Sequence, residues 1–225
     1  MRHADQDQLR DRPGRLPAAS RSPLRRTRPR VAPRSRRPRQ ERGQSLVEFA
    51  LILPIFVMLL LSLMEFAITF STLLNINFAS RDATLIAAEA GDGAGADCAI
   101  LQMVEKDLDS PTQKARIQQV RIYWSGTNGN ELAANVYLRS GSTTCTYASG
   151  TSVTVPYTAS STGYPASARC TVINGCGGSH PGLDTVGVLI AYRHAWLTPL
   201  PAIVQLPAGG IDITRSNAMR MEPTL

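Results

Sequence analysis

The chain has 225 residues, of which 43% are apolar and 6% aromatic, and its formal net charge is +7. The charge is uneven, because residues 1–42 contain 14 arginines against four acidic residues, whereas the remainder contains 10 basic and 13 acidic residues. A mildly acidic remainder argues against a basic nucleic-acid-binding domain. All five phenylalanines lie between Phe49 and Phe78, which argues against a single soluble globule.

The N-terminal 42 residues are rich in arginine and proline and poor in large apolar residues, so they cannot bury enough surface to fold and are predicted to be disordered. Three interpretations remain open. The segment is an arm for nucleic acid or anionic lipid, or it is the cytoplasmic region before a membrane-inserting segment. In the third interpretation the true start codon lies further on, so that residues 1 to about 30 are never made. We favour the second, since no aromatic residues interleave with the arginines to stack on bases.

The most apolar part of the chain follows, from Leu46 to Leu74. Between Glu48 and Glu65 lie 16 uncharged residues, of which only Ser62 is polar. About 20 residues cross a hydrocarbon core of roughly 30 Å, and a helix places these two carboxylates about 25 Å apart, each near one interface. Five arginines between residues 34 and 42 precede the span. The positive-inside rule then predicts a cytoplasmic N-terminus and an extracytoplasmic C-terminal part.

A cleaved secretory signal is the competing interpretation of this segment. Its apolar core would be about 7–15 residues long and would end in a small-residue cleavage site. Here the run is longer, no such site follows, and the helical pattern continues to the glycine-rich residues 91–95. We therefore predict one helix from about Ser45 to Ala90, which Pro54 should kink or loosen by a turn.

The start of this helix carries a motif, RGQSLVEFA, over residues 42–50. A basic leader, Gly43, four further residues and the pair Glu48-Phe49 resemble the processing site of prepilin-like proteins. The longer string GQSLVEFALILPIFVMLLLSLMEFAITF, followed by ASRDATLIAAEAG, is similar to the TadE family of tight-adherence (Flp) pilus pseudopilins. The resemblance is strong over residues 42–90 and weaker at Asp184–Arg193 and Ala218–Glu222.

This resemblance implies that a membrane aspartic peptidase cuts after Gly43, where the missing side chain allows close approach to the backbone. Gln44 would then carry a positive amino terminus one turn from the Glu48 carboxylate, which offsets part of the desolvation cost. For Glu48 the alternative is a solvated residue at the membrane edge. For Glu65 an interfacial acid at the outer boundary is favoured over a subunit contact within the membrane.

The resemblance also implies partners and a location. The partners are the prepilin peptidase, inner-membrane platform proteins and other pilus-assembly pseudopilins, with a pilus ATPase acting indirectly. The location is the cell membrane, crossed once with the N-terminus in the cytoplasm. Neither nucleic acid nor a small-molecule substrate is expected.

The remaining residues predict one small domain. Periodicity indicates a helix at Ala96–Leu108 that stops at residues 109–111. Strands are predicted at Arg116–Trp124, Ala133–Arg139, Thr151–Tyr157, Thr185–Trp196 and Ile211–Arg215, the fourth interior to its sheet and the last at an edge. Loops are expected at 140–150 and 158–168. The predicted class is α+β, a long transmembrane helix followed by a small antiparallel sheet with one packed helix, similar to pilins by analogy. The domains are then 1–43, 44–90 and 96–225.

Four cysteines follow the membrane segment, an even number that indicates two disulfides in an oxidising compartment. Three pairings are possible, and we prefer Cys170–Cys176 across a turn-like segment, with Cys98–Cys145 tying the helix to a loop. A metal site that combines Cys170 and Cys176 with His180 and His194 is the alternative, but its spacing fits no zinc template.

Catalytic motifs are not recognisable in the sequence: there is no G-x-S-x-G, H-E-x-x-H or P-loop. The aromatic residues of the predicted strands, Tyr123, Trp124, Tyr192 and Trp196, are expected in the core or on a sheet face. We therefore expect a non-enzymatic pseudopilin without a cofactor. The rival hypotheses are an uncleaved, membrane-anchored binding domain and, more weakly, an anchored hydrolase.

Overall fold

The computed structural model of the chain describes residues 41–108, 111–173, 176–177, 180–199, 202, 205, 207 and 209–222. The chain divides into two units, residues 1–45 and 46–225, and the described residues of the first begin helix α1. Most of the arginine-rich leader, residues 1–40, lies outside the described residues, as do residues 109 and 110 of the predicted helix stop.

Two α-helices and seven strands form the described part of the chain. In chain order they are α1 (Glu41–Ala90), α2 (Ala96–Asp107), β1 (Ile117–Ser125), β2 (Glu131–Leu138), β3 (Thr143–Thr146), β4 (Ser152–Val155), β5 (Thr158–Thr162), β6 (Thr185–His194) and β7 (Ile211–Arg220). Single turns of 3-10 helix lie at Lys114–Arg116 and Ala166–Ala168. The α+β class predicted from the sequence is confirmed.

Helix α1 remains helical through Pro54 and ends where the glycine-rich segment begins. Gly91 follows its last residue with φ of +53°, and Gly95 precedes α2 with φ of +80°. These left-handed conformations suit glycine, which lacks the Cβ atom that strains other residues there. The predicted end of the helix is therefore confirmed, and the turn redirects the chain into α2.

Five strands form one antiparallel sheet in the order β5-β2-β1-β6-β7, and β3 pairs with β4 in a separate hairpin. β6 lies between β1 and β7, so its long apolar run is paired on both edges, as predicted. β7 lies at the edge but extends to Arg220, beyond the predicted Arg215, because ten of its residues pair in register with β6. Backbone pairing, rather than a side-chain pattern, sets the length of this strand.

The two segments predicted as loops contain strands, so that prediction was wrong. β3 lies within 140–150, and β5 lies within 158–168. Both are rich in serine and threonine, and every residue of β5 is exposed. A strand exposed on both faces has no alternation of apolar and polar residues to reveal it. Its pairing with β2 holds it in the sheet.

Both helices contribute to a core on one face of the five-stranded sheet. The predicted apolar face of α2 is fully buried, with Ile100, Leu101, Val104 and Leu108 all at 0% exposure. The core side chains of the strands alternate, as the pleat requires: Val120, Ile122, Val186, Val188, Ile190, Tyr192 and Ile213. The second half of α1 supplies Ile76 and four alanines to this core.

Candidate functional site

The first half of α1 exposes an unbroken apolar surface. From Leu46 to Met64 every residue is exposed except Leu61, which is half-buried. Among the described residues α1 is the one helix long and apolar enough to cross a membrane, and none of its most apolar window is buried. The 19 residues from Leu46 to Met64 span about 28 Å as a helix, close to the thickness of a hydrocarbon core. The segment suggests single-pass membrane anchoring.

The four residues of the predicted processing motif lie on the helical surface. Gly43, Gln44, Glu48 and Phe49 are all exposed. A Cβ atom added at Gly43 would meet no other atom within 4 Å, so packing within the chain does not require glycine there. Cleavage after Gly43 stays a prediction. The open surroundings of this glycine are compatible with recognition by a peptidase.

Glu65 marks the point where α1 meets the domain. Its carboxylate accepts the backbone N–H of Leu197 at 3.1 and 3.2 Å and that of Thr198 at 2.9 Å. The His194 ring lies 3.7 Å away and also contacts Thr69 Oγ1 at 3.1 Å. Glu65 is only 6% exposed. The two amides follow the end of β6 and have no strand partner, so the carboxylate satisfies donors that would otherwise be left unpaired.

The interpretation of Glu65 as an interfacial acid at the outer boundary stays a prediction. Neither an interfacial acid nor a subunit contact anticipated a carboxylate held by the backbone of the same chain. The sequence signal for Glu65 was its isolation, since the next charged residues are Arg81 and Asp82. Its partner loop is more than 130 positions away, and only the fold brings the two together.

The second half of α1 lies close to the sheet because small residues face it. Ser80 Oγ donates to the Val188 carbonyl at 2.8 Å, and Thr84 Oγ1 lies 3.1 Å from the Asn217 carbonyl. Such contacts require a close approach of the helix to strands β6 and β7. Three alanines at four-residue spacing, all at 0% exposure, permit it: Ala79, Ala83 and Ala87. Through these residues the second half of α1 packs against the sheet.

The opposite side of this half-helix carries what we term the outer apolar stripe. Its five residues, each between 38% and 68% exposed, are Phe66, Phe70, Leu74, Phe78 and Leu85. The Phe66 and Phe70 rings stack with centroids 6.1 Å apart. The stripe continues the apolar surface of the first half of the helix on the side away from the sheet. Large exposed apolar surfaces of this kind mark interaction sites.

A buried polar cluster ties the turn between the two helices to the sheet. Asp97 Oδ2 accepts hydrogen bonds from Tyr137 Oη at 2.6 Å and Asn135 Nδ2 at 2.7 Å. Asp97 Oδ1 pairs with Arg169, whose side chain is fully buried and whose second nitrogen donates to the Gly91 carbonyl at 3.2 Å. Burial, reinforced by the Asp97 charge, raises the pKa of Tyr137 above its ordinary value.

Sequence reasoning missed this cluster, although a signal was present. Arg169 is the one Asp, Glu, Lys or Arg between Arg139 and Asp184. An isolated charge in a long uncharged stretch is expected either on the surface or paired in the interior, and here it is paired. Asp184 is likewise buried, and it accepts from Tyr164 Oη at 2.7 Å and lies 2.5 Å from His180 Nδ1.

Both preferred disulfides are present. Cys98 bonds to Cys145 with Cα atoms 6.2 Å apart, and Cys170 bonds to Cys176 with Cα atoms 5.0 Å apart. The alternative metal site is therefore wrong in its ligand set, because two of its sulfur atoms bond each other. His180 lies on Asp184 instead, and within the described ranges no three His, Cys, Asp or Glu side chains group to hold a metal ion.

Comparison with models of protein families gives a match over α1. The family model described as TadE-like protein matches residues 43–85, which span most of α1. The family resemblance seen in the sequence is therefore confirmed over this helix. No curated protein and no solved structure matches the chain. The match suggests a role in the assembly of a tight-adherence pilus.

Proposed function

We propose that this protein is a non-catalytic minor pseudopilin that is anchored in the cell membrane and aids assembly of a tight-adherence pilus. Its N-terminus is cytoplasmic, and its domain is extracytoplasmic. A prepilin peptidase removes the leader after Gly43, and Gln44 becomes the first residue of the mature chain. Its partners are sibling pseudopilins and the inner-membrane platform.

The observation that carries this proposal is the division of α1 into two functional halves. The first half exposes apolar side chains on every side, as lipid requires, while the second half is attached to the sheet on one side only. The outer apolar stripe continues from the first half as far as Phe78, and the exposed Arg81 lies between Phe78 and Leu85. A subunit that leaves the bilayer with this surface can exchange lipid contacts for contacts with neighbouring helices.

The processing motif supports the same function. Gly43 and Glu48 have the spacing of the prepilin-type site, and both are exposed on α1. After cleavage the amino group of Gln44 and the Glu48 carboxylate supply opposite charges within one turn of helix. In an apolar environment such charges stabilise contacts within one chain or between neighbours.

The first experiment is the mass and N-terminal sequence of the protein recovered from its native membrane. We expect a chain that begins at Gln44. Gly43→Leu should block cleavage, because a side chain there prevents close approach of the peptidase to the backbone. Gly177→Leu is the matched control and should leave cleavage unchanged. A Cβ atom meets nothing within 4 Å at either glycine, so neither change disturbs the packing of the chain. A native chain that retains Gly43 and the arginine-rich leader would refute the processing step and favour an uncleaved, membrane-anchored binding domain.

Glu48 provides a second test of the pilus role. Glu48→Gln should reduce piliation without preventing insertion in the membrane, because it removes the charge that the new amino terminus pairs with. Glu89→Gln is the matched control, since Glu89 is also exposed on α1 but lies beside the domain. Equal piliation in the two variants, or in the wild type and Glu48→Gln, would contradict the proposed pairing.

A third test concerns the outer apolar stripe. Phe78→Asp should abolish cross-linking to sibling pseudopilins while leaving the domain folded, because Phe78 is 54% exposed. Leu132→Asp is the control, a change at an equally exposed leucine on β2. If both variants cross-link like the wild type, the stripe does not mediate subunit contacts.

A further inference from the structure

A cleft lies at the end of the five-stranded sheet that is remote from the Glu65 contact. It forms where a turn joins β1 to β2, where β6 begins and where β7 ends. Its volume is about 600 Å³, which is within the range of ligand-binding pockets. We term it the tip cleft and define it by six of the residues that line it: Trp124, Asn130, Leu132, Pro181, Leu183 and Arg220.

The tip cleft is far from the apolar stretch of α1. Strand β6 runs from Thr185, which lines the cleft, to His194, whose ring lies 3.7 Å from the Glu65 carboxylate. Nine residue steps of about 3.3 Å separate the cleft from the Glu65 contact by roughly 30 Å. Glu65 follows the exposed apolar stretch that ends at Met64. A ligand of the tip cleft is therefore a molecule in water rather than lipid.

Arg220 determines the charge of the tip cleft. Among the described residues that line the cleft, Arg220 has the one charged side chain. It is exposed, and it makes no ion pair within the part of the chain that the structure describes. The next residue, Met221, is fully buried, and its N–H donates to the Asp184 carbonyl at 2.8 Å, which holds the backbone at the end of β7. A guanidinium held in this way suits a carboxylate, which accepts two parallel hydrogen bonds from it.

The other end of the tip cleft is apolar. Leu132 is the extra residue of a β-bulge, since its neighbours Glu131 and Ala133 pair with consecutive residues of β1. Such a bulge changes the direction of a side chain, and Leu132 is 51% exposed. It lines the cleft together with Pro181 and Leu183. These aliphatic side chains offer an apolar surface to a ligand.

A cluster of aromatic and polar residues supports the wall between the two ends. Trp124 stacks on His180 with ring centroids 4.4 Å apart, and His180 Nδ1 lies 2.5 Å from the buried Asp184 carboxylate. That carboxylate also accepts the Cys170 N–H at 3.0 Å. The cleft is therefore largely preformed, which lowers the entropic cost of binding. Because one face of the Trp124 ring is stacked on His180, that face is not open to a sugar ring.

The separation of the two ends fits an extended peptide. Leu132 lies on β2 and Arg220 on β7, and the order β2-β1-β6-β7 places three strand spacings between them. At about 4.8 Å for each spacing, the two strands are about 14 Å apart. In an extended chain, residues four positions apart are separated by about 13 Å and lie on the same face.

We propose that the tip cleft binds an extended peptide segment of a partner protein, in which an apolar and an acidic residue stand four positions apart. The apolar side chain packs on Leu132 and Leu183, and the carboxylate pairs with Arg220. The proposed contacts between sibling pseudopilins use the outer apolar stripe, so this segment belongs to a different partner. Binding at the cleft can be measured whether or not the pilus role is correct.

Fluorescence anisotropy of dye-labelled peptides tests the proposal on the full-length protein in nanodiscs of zwitterionic lipid. The probe is Gly-Leu-Ser-Ser-Ser-Glu-Gly with a blocked C-terminus, together with the reversed order and versions with isoleucine, valine or phenylalanine as the apolar residue. Matched probes carry glutamine or lysine in place of glutamate. We expect the glutamate peptides to bind about tenfold more tightly than the glutamine peptides, because the pair with the guanidinium is charge-assisted.

Variants of the protein locate the binding site. Arg220→Glu should remove the preference for glutamate and create a preference for the lysine peptides. Arg215→Glu is the matched control, since Arg215 is also exposed on β7 but does not line the cleft. Leu132→Ser should weaken the binding of every peptide, whereas Leu138→Ser, at an exposed leucine of β2 outside the cleft, should not.

Several outcomes would overturn the inference. One is a folded wild-type protein that binds none of the peptides at millimolar concentration. Equal binding of the glutamate and glutamine peptides is another, and so is a preference for glutamate that persists in Arg220→Glu. Isocaproic acid or chitotetraose that displaces the probe as well as the unlabelled peptide does would identify a small acid or a glycan as the occupant instead.

A second measurement uses the fluorescence of Trp124 with unlabelled peptide. The chain has two tryptophans, so Trp196→Phe leaves Trp124 as the one emitter. Because Trp124 lines the cleft, a bound peptide should exclude water from its ring, shift its emission to shorter wavelength and reduce quenching by acrylamide. Emission that does not change at a peptide concentration that saturates the anisotropy would overturn the inference, because the peptide would then bind elsewhere.

Discussion

The Glu65 contact predicts that one carboxylate in α1 controls the protection of two amides more than 130 residues away. In Glu65→Ala, the N–H groups of Leu197 and Thr198 lose an acceptor that now lies 2.9–3.2 Å from them. A hydrogen bond to a charged partner contributes about 1.5–3 kcal/mol. Because water can reach the opened loop and recover part of this energy, we expect a loss of about 3 kcal/mol for the two bonds together.

Hydrogen–deuterium exchange with peptide-resolved mass spectrometry measures this loss locally. About 3 kcal/mol corresponds to roughly 100-fold faster exchange of the two amides, if local opening governs their exchange. The effect should be confined to the loop after β6, since the core strands keep their own hydrogen bonds. Glu65→Gln should be intermediate, because the amide oxygen remains an acceptor but the negative charge is lost.

Glu89→Ala is the matched control for this prediction. It removes an exposed carboxylate from the same helix, and such surface changes stay within about 0.5 kcal/mol. Unchanged exchange at Leu197 and Thr198 in Glu65→Ala would refute the reasoning. It would mean that the carboxylate does not hold the backbone of Leu197 and Thr198 in place.

Three further predictions concern the domain. Arg169→Met should lower the free energy of unfolding by about 3–5 kcal/mol, because it removes the fully buried cation that pairs with the half-buried Asp97 carboxylate, whereas the exposed Arg215→Met should change it by less than about 0.5 kcal/mol. Replacing Cys98 and Cys145 by serine should cost about 2–4 kcal/mol, since this disulfide closes a loop over a separation of 47 residues. Burial raises the pKa of Tyr157 to about 12 from an ordinary value of 10.0. The contribution of this phenol to the free energy of unfolding should therefore be fully present below pH 10 and decrease as the pH rises towards 12.

Chemical denaturation followed by circular dichroism measures the first two effects, and the same denaturation repeated at pH values between 10 and 12 measures the third. The sign of the alkaline effect follows from the unfolded chain, which loses its phenolic proton at lower pH than the folded chain. A free energy of unfolding for Arg169→Met equal to that of Arg215→Met would contradict the role of the ion pair between Arg169 and Asp97. Constant stability between pH 10 and 12 would contradict the burial of the phenol.

The sequence was most informative for elements that a pattern of neighbouring residues determines. Helix α1 and its end were predicted from the apolar run, the basic residues before it and the glycines after it. This was possible because a membrane-spanning helix needs about 20 consecutive apolar residues and because glycine marks a helix end. The apolar face of α2 and the interior position of β6 followed from periodicity. The even count of cysteines predicted two disulfides, and the structure selected the preferred pairing among the three possible ones. The resemblance over residues 43–85 required only these helical residues.

The tertiary structure decided what depends on pairs that are distant in the chain. Strands β3 and β5 lack alternation, and only pairing with a neighbour makes them strands. Glu65 meets Leu197, and Asp97 meets Arg169, across separations of 132 and 72 residues. No local pattern predicts such partners, because the groups that surround a charged side chain come from distant segments that only the folded chain places next to it. The sequence therefore determined that the chain has a membrane-like helix, and the fold decided how that helix holds the domain.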